Sequence, residues 1–401
     1  MTDPASLRCL FLHNYYQQAG GEDLSMAAEI EILRQAHHTV ELLAWHNDAI
    51  ADLAGAEKLS LFWQTTWNSA SKRRVYDALQ RFNADLLHVQ NFFPLASPAV
   101  YSAARQLGVP VVQHLRNFRL GCLNGYLYRQ GRVCEACVGR NPWRGVAYRC
   151  YRGSLPASLS LWQMLTAHRW RRTWHREVDV FITPSRFAAA KLIEIGLPAE
   201  KMQVKPNFVA DPLAGNSPPP PPDRPIFTFV GRLSPEKGAL ELLQAWQQVR
   251  QPDWQLWIVG DGPEKATLER FCQEHHLGNV RFWGHCSPPQ TLELLQRSTL
   301  LVLPCRWYET FGRVVIEAFA CGRPALVSNI GAVAELVSDG ETGFQVPYTD
   351  TAAWVERLTW CGQNLATLAR FGTRARQTYL QHYTPAINYQ RLREIYQQVL
   401  R

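Results

Sequence analysis

Regular patterning begins at Leu7–His13 (LRCLFLH), a continuous apolar run of strand length. It is followed by a loop holding Gly20-Gly21 and a stretch of helical spacing from about Glu22 to Ala36. The unit then repeats. Thr39–Ala44, Asp85–Val89, Val109–His114, Val178–Thr183 and Met202–Lys205 read as short buried strands separated by helical patterns. At residues 214–225 (AGNSPPPPPDRP) successive prolines remove backbone donors and favour an extended conformation, so this segment reads as a linker. Beyond it, strands Ile226–Val230, Gln255–Val259, Val280–Trp283, Leu300–Leu303 and Ala325–Ser328 alternate with helices Pro235–Arg250, Glu264–His275, Pro289–Arg297 and Phe311–Cys321.

Strands that are apolar throughout, alternating with helices, predict parallel sheets covered on both faces. The expected fold class is α/β, with two Rossmann-like doubly wound domains at residues 1–213 and 226–380. Within residues 381–401 a last helix, Pro385–Leu400, is long enough to cross back onto the first domain. Phosphate-bearing ligands bind such sheets where the carboxyl ends of strands meet helix N-termini, so function is expected in a cleft between the two domains.

Composition excludes several classes. With 401 residues, 46% of them hydrophobic and 14 Trp, the chain is neither disordered nor of low complexity. No run approaches 18 apolar residues and the start lacks the basic and long apolar segments of a signal peptide. The expectation is therefore a cytoplasmic protein without a membrane span. The net charge of +8 hides an asymmetry: thirteen Arg and one acid, Glu135, fall between Arg105 and Arg176, giving that window +12 by itself. Such a field attracts phosphorylated ligands, anionic headgroups or nucleic acid, unless it is only a solvated face with a few ion pairs.

Two segments carry candidate chemistry. Phe229-Val-Gly-Arg-Leu-Ser-Pro-Glu-Lys-Gly238 ends a strand at Gly231 and sets Arg232 and Lys237 around a turn that starts a helix. Cations at a helix start are disfavoured by its dipole, so their presence calls for an anion, and a diphosphate suits an Arg fork beside a Lys point charge. The pattern is neither the dinucleotide fingerprint nor the P-loop. The second segment, Pro304-Cys-Arg-Trp-Tyr-Glu-Thr-Phe-Gly-Arg-Val-Val-Ile-Glu317, holds Glu309 and Glu317; if helical throughout, it separates the carboxylates by roughly 12 Å. That is too far for an acid/base pair on one bond and suits two hydroxyl-binding carboxylates at opposite ends of a long ligand.

Together, the first segment, Gly-Asp-Gly-Pro at 260–263, Phe-Trp-Gly at 282–284 and Glu309-x7-Glu317 resemble the retaining glycosyltransferases of family 4, of GT-B fold, along essentially the whole chain. The resemblance implies that Arg232 and Lys237 bind the diphosphate of a nucleotide-sugar donor in place of a metal, with no catalytic cofactor. It gives Glu309, with the backbone of Thr310, Phe311 and Gly312, the donor sugar and phosphate, and gives Glu317 the ribose hydroxyls. The base would lie near Gly260, Trp283, Gly284 and His285, while Gly231 and the Gly20-Gly21 loop would approach phosphate. Arg306, Trp307 and Tyr308 would tune the sugar pocket. The family's histidine after the fourth strand is replaced by Arg116, and Gln90 replaces the second His of a His-x-His-Asn strand end. His88, Asn91, His114 and Arg116 are thus acceptor-side candidates.

An insertion at about 116–153 carries Cys122-x11-Cys134-x2-Cys137-x12-Cys150, which suits a structural zinc, a redox-sensitive cross-link or buried free thiols. The following helix, Leu155–Arg176, has Leu, Trp and Met on one face and Arg towards its end; it either packs on the sheet or contacts an anionic membrane peripherally. The expected reaction is sugar transfer with retention to a saccharide or lipid-linked saccharide, as in cell-surface polysaccharide or glycolipid assembly. The rival readings are a nucleotide-sugar epimerase on the same fold and a polyanion- or nucleic-acid-binding protein. The last lacks any helix-turn-helix, zinc-finger or RNA-recognition signature.

Overall fold

A computed structural model of the chain describes residues 6–16, 20–50 and 55–401. They form two compact units: one comprises the chain up to Leu127 with Cys134–Pro206 and Asn388–Arg401, the other Tyr128–Val133 with Asn207–Ile387. The division falls at Pro206, upstream of the proline run, and that run lies on the second unit, where Arg323 Nη2 donates to the Pro219 carbonyl at 2.9 Å.

In chain order the first strands are β1 (Arg8–Tyr15), β2 (Thr39–His46), β3 (Leu86–Asn91), β4 (Val111–His114), a small hairpin β5 (Tyr128–Arg129) and β6 (Arg132–Val133), then β7 (Val180–Thr183) and β8 (Met202–Val204). Apart from the antiparallel hairpin they make one parallel sheet in the order β2-β1-β3-β4-β7-β8. The second unit has β9 (Ile226–Val230), β10 (Gln255–Val259), β11 (Val280–Gly284), β12 (Leu300–Leu303), β13 (Ala325–Ser328) and β14 (Gly343–Val346), again parallel, in the order β11-β10-β9-β12-β13-β14. The expected pair of doubly wound sheets is present, and in each the strand order reverses beside the first strand.

Burial on both faces explains the unbroken apolar runs. In β12, Leu300 and Val302 join the layer of Phe227, Leu243, Trp246 and Leu358, while Leu301 and Leu303 face Val315, Phe319 and Tyr379. Each fully buried side chain of this size contributes about 1.5–3 kcal/mol. In the first unit Phe11, Leu86, Val112 and Ile182 pack with Leu392 and Tyr396 of the last helix, Pro385–Val399.

Two predicted helices are interrupted by left-handed glycines. The stretch read as Pro235–Arg250 is a 3-10 turn, Pro235–Lys237, then Gly238 at φ +74°, then a helix Ala239–Val249. The one read as Phe311–Cys321 starts at Arg313, after Gly312 at φ +94°. Glu309 and Glu317 therefore do not share one helix, and the 12 Å spacing does not apply: residues 309–312 are loop. The strand β14 (GFQV) escaped the sequence pattern because Gly343 and Gln345 interrupt its apolar run, and the hairpin because two-residue strands show no period.

Candidate active site

The reversal of strand order in the second unit lies between β9 and β12, which pair directly at Leu300 with Phe227 and Leu301 with Thr228. The chains leaving their carboxyl ends diverge there and open a crevice, as in other doubly wound sheets. One of them is Gly231–Gly238 and the other Pro304–Gly312, so topology alone brings the two candidate segments together.

Glycines allow the close approach. A Cβ on Gly238 would stand 2.0 Å from the Pro304 carbonyl oxygen, in a backbone conformation that L side chains rarely adopt. The Arg306 amide donates to the Glu236 carbonyl at 2.9 Å, and the Arg306 side chain pairs with Glu241. On the other flank Gly260, at φ +140°, would place a Cβ 1.9 Å from the Gly231 carbonyl oxygen; Gly231 donates to Val259 and Leu233 to Asp261. Gly260 also donates to Gly284. The turn at 231–238 is thus clamped between the turns after β10 and β12.

Lys237 and Glu309 meet at its centre: Nζ lies 2.5 Å from Oε2 and 5.1 Å from the Trp307 ring centroid. Burial opposes the Lys237 charge, but the carboxylate outweighs it, and Lys237 is held above the usual lysine range. Arg232, at the start of the same turn, is exposed and makes no ion pair among the described residues. Thr310, Phe311 and Gly312 run from Glu309 to the start of the helix Arg313–Ala320. On that helix, Glu317 Oε1 accepts from Arg313 Nε at 2.9 Å, and burial pushes the Glu317 carboxyl up. His285 is exposed just past β11, while the Trp283 ring lies 3.9 Å under the Arg281 guanidinium and meets Trp257 edge-to-face.

A glycine that the sequence reading missed completes the setting. Gly331, at φ +64°, would put a Cβ 3.0 Å from the Glu309 amide nitrogen, and the next amide, of Ala332, donates to the Glu309 carbonyl. The helix Gly331–Leu336 therefore fixes the Glu309 backbone from behind.

In the first unit, Gly20 and Gly21 are exposed at the start of the helix Gly21–Gln35, where the Asp23 carboxylate accepts from the Gly20 amide at 2.9 Å and lies 2.8 Å from His13 Nε2. The four acceptor-side candidates are less accessible than expected. His88 and His114 are fully buried and stacked 5.8 Å apart, and Asn91 donates to the Asn14 carbonyl at 2.6 Å. Arg116 is turned inward onto Glu29, at 3.2 Å. Glu29 was missed, although its position on the apolar face of Met26, Ile30 and Leu33 was a visible signal. It also receives Lys205 Nζ at 2.5 Å and Gln90 at 2.9 Å, and Lys205 reaches Asn388. His88 Nδ1 lies 2.7 Å from the Tyr396 hydroxyl. Burial holds both histidines below their usual range, His88 at about 3, so they are neutral. Glu29, His88 and His114 have ligating atoms within 4.8 Å of one another. This is still a poor metal set, because Lys205 and Arg116 already neutralise the single carboxylate and repel a further cation. His114 and Arg116 line a cleft of about 30 Å³ with Asn91 and Arg119.

No disulfide joins Cys122, Cys134, Cys137 and Cys150, and among the described residues no three of their thiols lie within 4.8 Å of one another. Cys122 instead points its thiol at Asn124 Oδ1, 2.9 Å away, and burial pushes Cys122 and Cys137 up. Cys122 and Cys137 are buried, whereas Cys134 and Cys150 are half-buried.

Comparison with known proteins matches residues 20–207 to the glycosyl transferase 4-like domain and residues 215–378 to the glycosyl transferases group 1 domain. Glycogen synthase of Mycobacterium tuberculosis is 36% identical over 152 residues, which cover 37% of this chain and 36% of that protein. Alpha-D-kanosaminyltransferase of Streptomyces kanamyceticus is 36% identical over 142 residues, covering 34% and 36%. The matched segments thus span about a third of the length of these curated relatives. Among solved structures, Anabaena HepE in complex with UDP-glucose superposes with a TM-score of 0.67 at 19% identity, covering 97% of this chain and 99% of that one. Sucrose-phosphate synthase from Thermosynechococcus elongatus gives 0.70 at 19%, covering 98% of each. Two family domains in series, each on a six-stranded parallel sheet, make the protein a member of the group 1 glycosyltransferases, of GT-B fold.

Proposed function

We propose that the protein transfers a sugar from a nucleotide diphosphate sugar to a hydroxyl of a saccharide acceptor, free or lipid-linked, with retention at the anomeric carbon and without a catalytic metal. The observation that carries this reading is the Lys237–Glu309 pair at the strand-order reversal, with exposed Arg232 five residues before Lys237 in the same turn. It supplies two cations for a diphosphate and a carboxylate for a sugar hydroxyl within one crevice. The HepE complex with UDP-glucose, on the same fold, supports a donor of this class.

In the reaction the bond between the anomeric carbon and the diphosphate oxygen breaks while the acceptor oxygen bonds that carbon. By the family resemblance, the hydroxyl proton passes to the departing diphosphate on the same face. Arg232 and Lys237 stabilise the charge that develops there, the electrostatic contribution that is usually the largest in such a step. Glu309 orients the sugar, Glu317 the ribose, and Gly260, Gly284 and His285 border the base. Assembly of a cell-surface polysaccharide or glycolipid is the process this chemistry suits.

The test is a thermal-shift panel of UDP-, GDP- and ADP-sugars without divalent metal, on wild type and Glu317→Ala, followed by product analysis. A ligand at 100 times its Kd adds about 2.7 kcal/mol of stability. Selective stabilisation lost in Glu317→Ala, with a new glycoside of retained configuration, supports the proposal. Isomerised sugar nucleotide formed without acceptor would indicate the epimerase instead, and no stabilisation by any donor would overturn the donor site.

A further inference from the structure

The helix Leu155–Trp170 is apolar on both of its long faces. Leu161, Met164, Leu165 and His168 are buried and give it a core-facing side, which accounts for its packing in the first unit. At about 100° per residue, Leu155, Leu159, Trp162, Thr166 and Trp170 fall within roughly one quarter of the circumference, and this arc is centred away from the buried one. Leu155, Leu159 and Trp170 are exposed, Trp170 by 84%. An outward stripe of this kind runs the length of the helix, about 22 Å at 1.5 Å per residue.

Neighbouring elements extend the stripe with more aromatic surface. Ser160 Oγ donates to the Phe62 carbonyl at 2.9 Å, which lays the end of the helix Gly55–Gln64 alongside; its Trp63 is 60% exposed. On the other side Trp162 Nε1 donates to Asn141 Oδ1 at 2.6 Å, next to Trp143, which is 57% exposed. Arg144, Arg149, Arg152, Arg171 and Arg172 are exposed on the same elements or directly flanking them, and residues 136–176 contain no acid.

We infer that this face is a membrane-docking surface, and that its occupant is a lipid leaflet carrying anionic headgroups. Leu side chains enter the acyl boundary, Trp rings sit at headgroup depth, where their apolar body and N–H are both accommodated, and the arginines pair with phosphates. The charge complementarity selects this occupant: a water-facing helix has no use for four large apolar residues on its outer side, and a second copy of the chain would bring the same positive field against itself. The inference concerns the first unit alone and does not depend on the donor reading.

Vesicle cosedimentation tests it with the whole protein. Phosphatidylcholine vesicles containing phosphatidylglycerol should bind wild type, increasingly weakly as salt rises, and pure phosphatidylcholine vesicles should not. Leu159→Glu with Trp170→Glu should weaken binding by roughly tenfold or more, whereas Trp170→Phe should retain it. Circular dichroism and thermal melting of the double variant keep a folding failure distinguishable. Wild type remaining in the supernatant with anionic vesicles, undiminished binding by the folded double variant, or light scattering that shows a dimer dispersed by the same substitutions would each overturn the inference.

Discussion

The Lys237 ammonium lies 2.5 Å from Glu309 and 5.1 Å over the ring of Trp307, so two strands at the reversal of sheet order present their charges to each other across one crevice. Replacing Lys237 with Ala removes a cation aimed at the leaving group and frees Glu309 to repel it. Turnover should fall about 100- to 1000-fold, with the circular dichroism spectrum unchanged. Steady-state kinetics alongside thermal melting separate the two effects, and near-normal turnover would remove Lys237 from the proposed role.

Gly238→Ala should act on the fold first. Its Cβ meets the Pro304 carbonyl, which is backbone and cannot swing aside, and the positive φ adds strain of about 1–3 kcal/mol. Urea unfolding should show a loss of at least that size, and an unchanged midpoint would mean that the 231–238 turn does not hold this close approach in solution.

Glu29 is the anion between Lys205 and Arg116 in the first unit. Glu29→Ala leaves two buried cations facing each other and should cost about 3–5 kcal/mol. The double variant Glu29→Met, Lys205→Met removes one charge with its partner and should recover part of that loss. Chemical denaturation of the single and double variants measures the coupling directly.

Acid should destabilise the protein before its carboxylates titrate. Burial depresses His88 to about 3 and His168 to about 4, so both are neutral in the folded state at pH values where the unfolded chain, near 6.5, is already protonated. The unfolded state then binds more protons. Stability is full above about pH 6.5 and falls as pH drops towards 4, by up to about 1.4 kcal/mol per pH unit for each histidine. Glu29, held well below its usual range by Lys205 despite its burial, adds a further loss only below about pH 4.5. Urea midpoints at pH 7.5 and 5 give the slope, and His168→Asn should flatten it.

Much of the architecture was legible because parallel strands buried on both faces must be apolar without interruption; β9, β10, β12 and β13 coincide with their predicted limits. The pairing of Lys237 with Glu309 was not, since it depends on two backbones passing at Gly238 and Pro304, 66 residues apart, and spacing along the chain carries no such information. Glu317 was placed on the right helix, but that helix's start was set too early because Gly312 was counted into it. His88 of β3 and His114 of β4 were read as acceptor-side candidates because Glu29 and Tyr396, which enclose them, come from the first and last helices among the described residues.

That enclosure bears on the order in which the protein is made. Lys205 is held by Glu29 and by Asn388, and His88 by Tyr396, so the interior of the first sheet includes a segment that is synthesised only after the second unit. At elongation rates of about 5–20 residues per second, the amino-terminal unit must wait through synthesis of the whole second unit with its buried charges still uncovered. The first unit is therefore completed only after the second has been made, and a nascent chain arrested before Asn388 should hold a folded second unit and an unfinished first one.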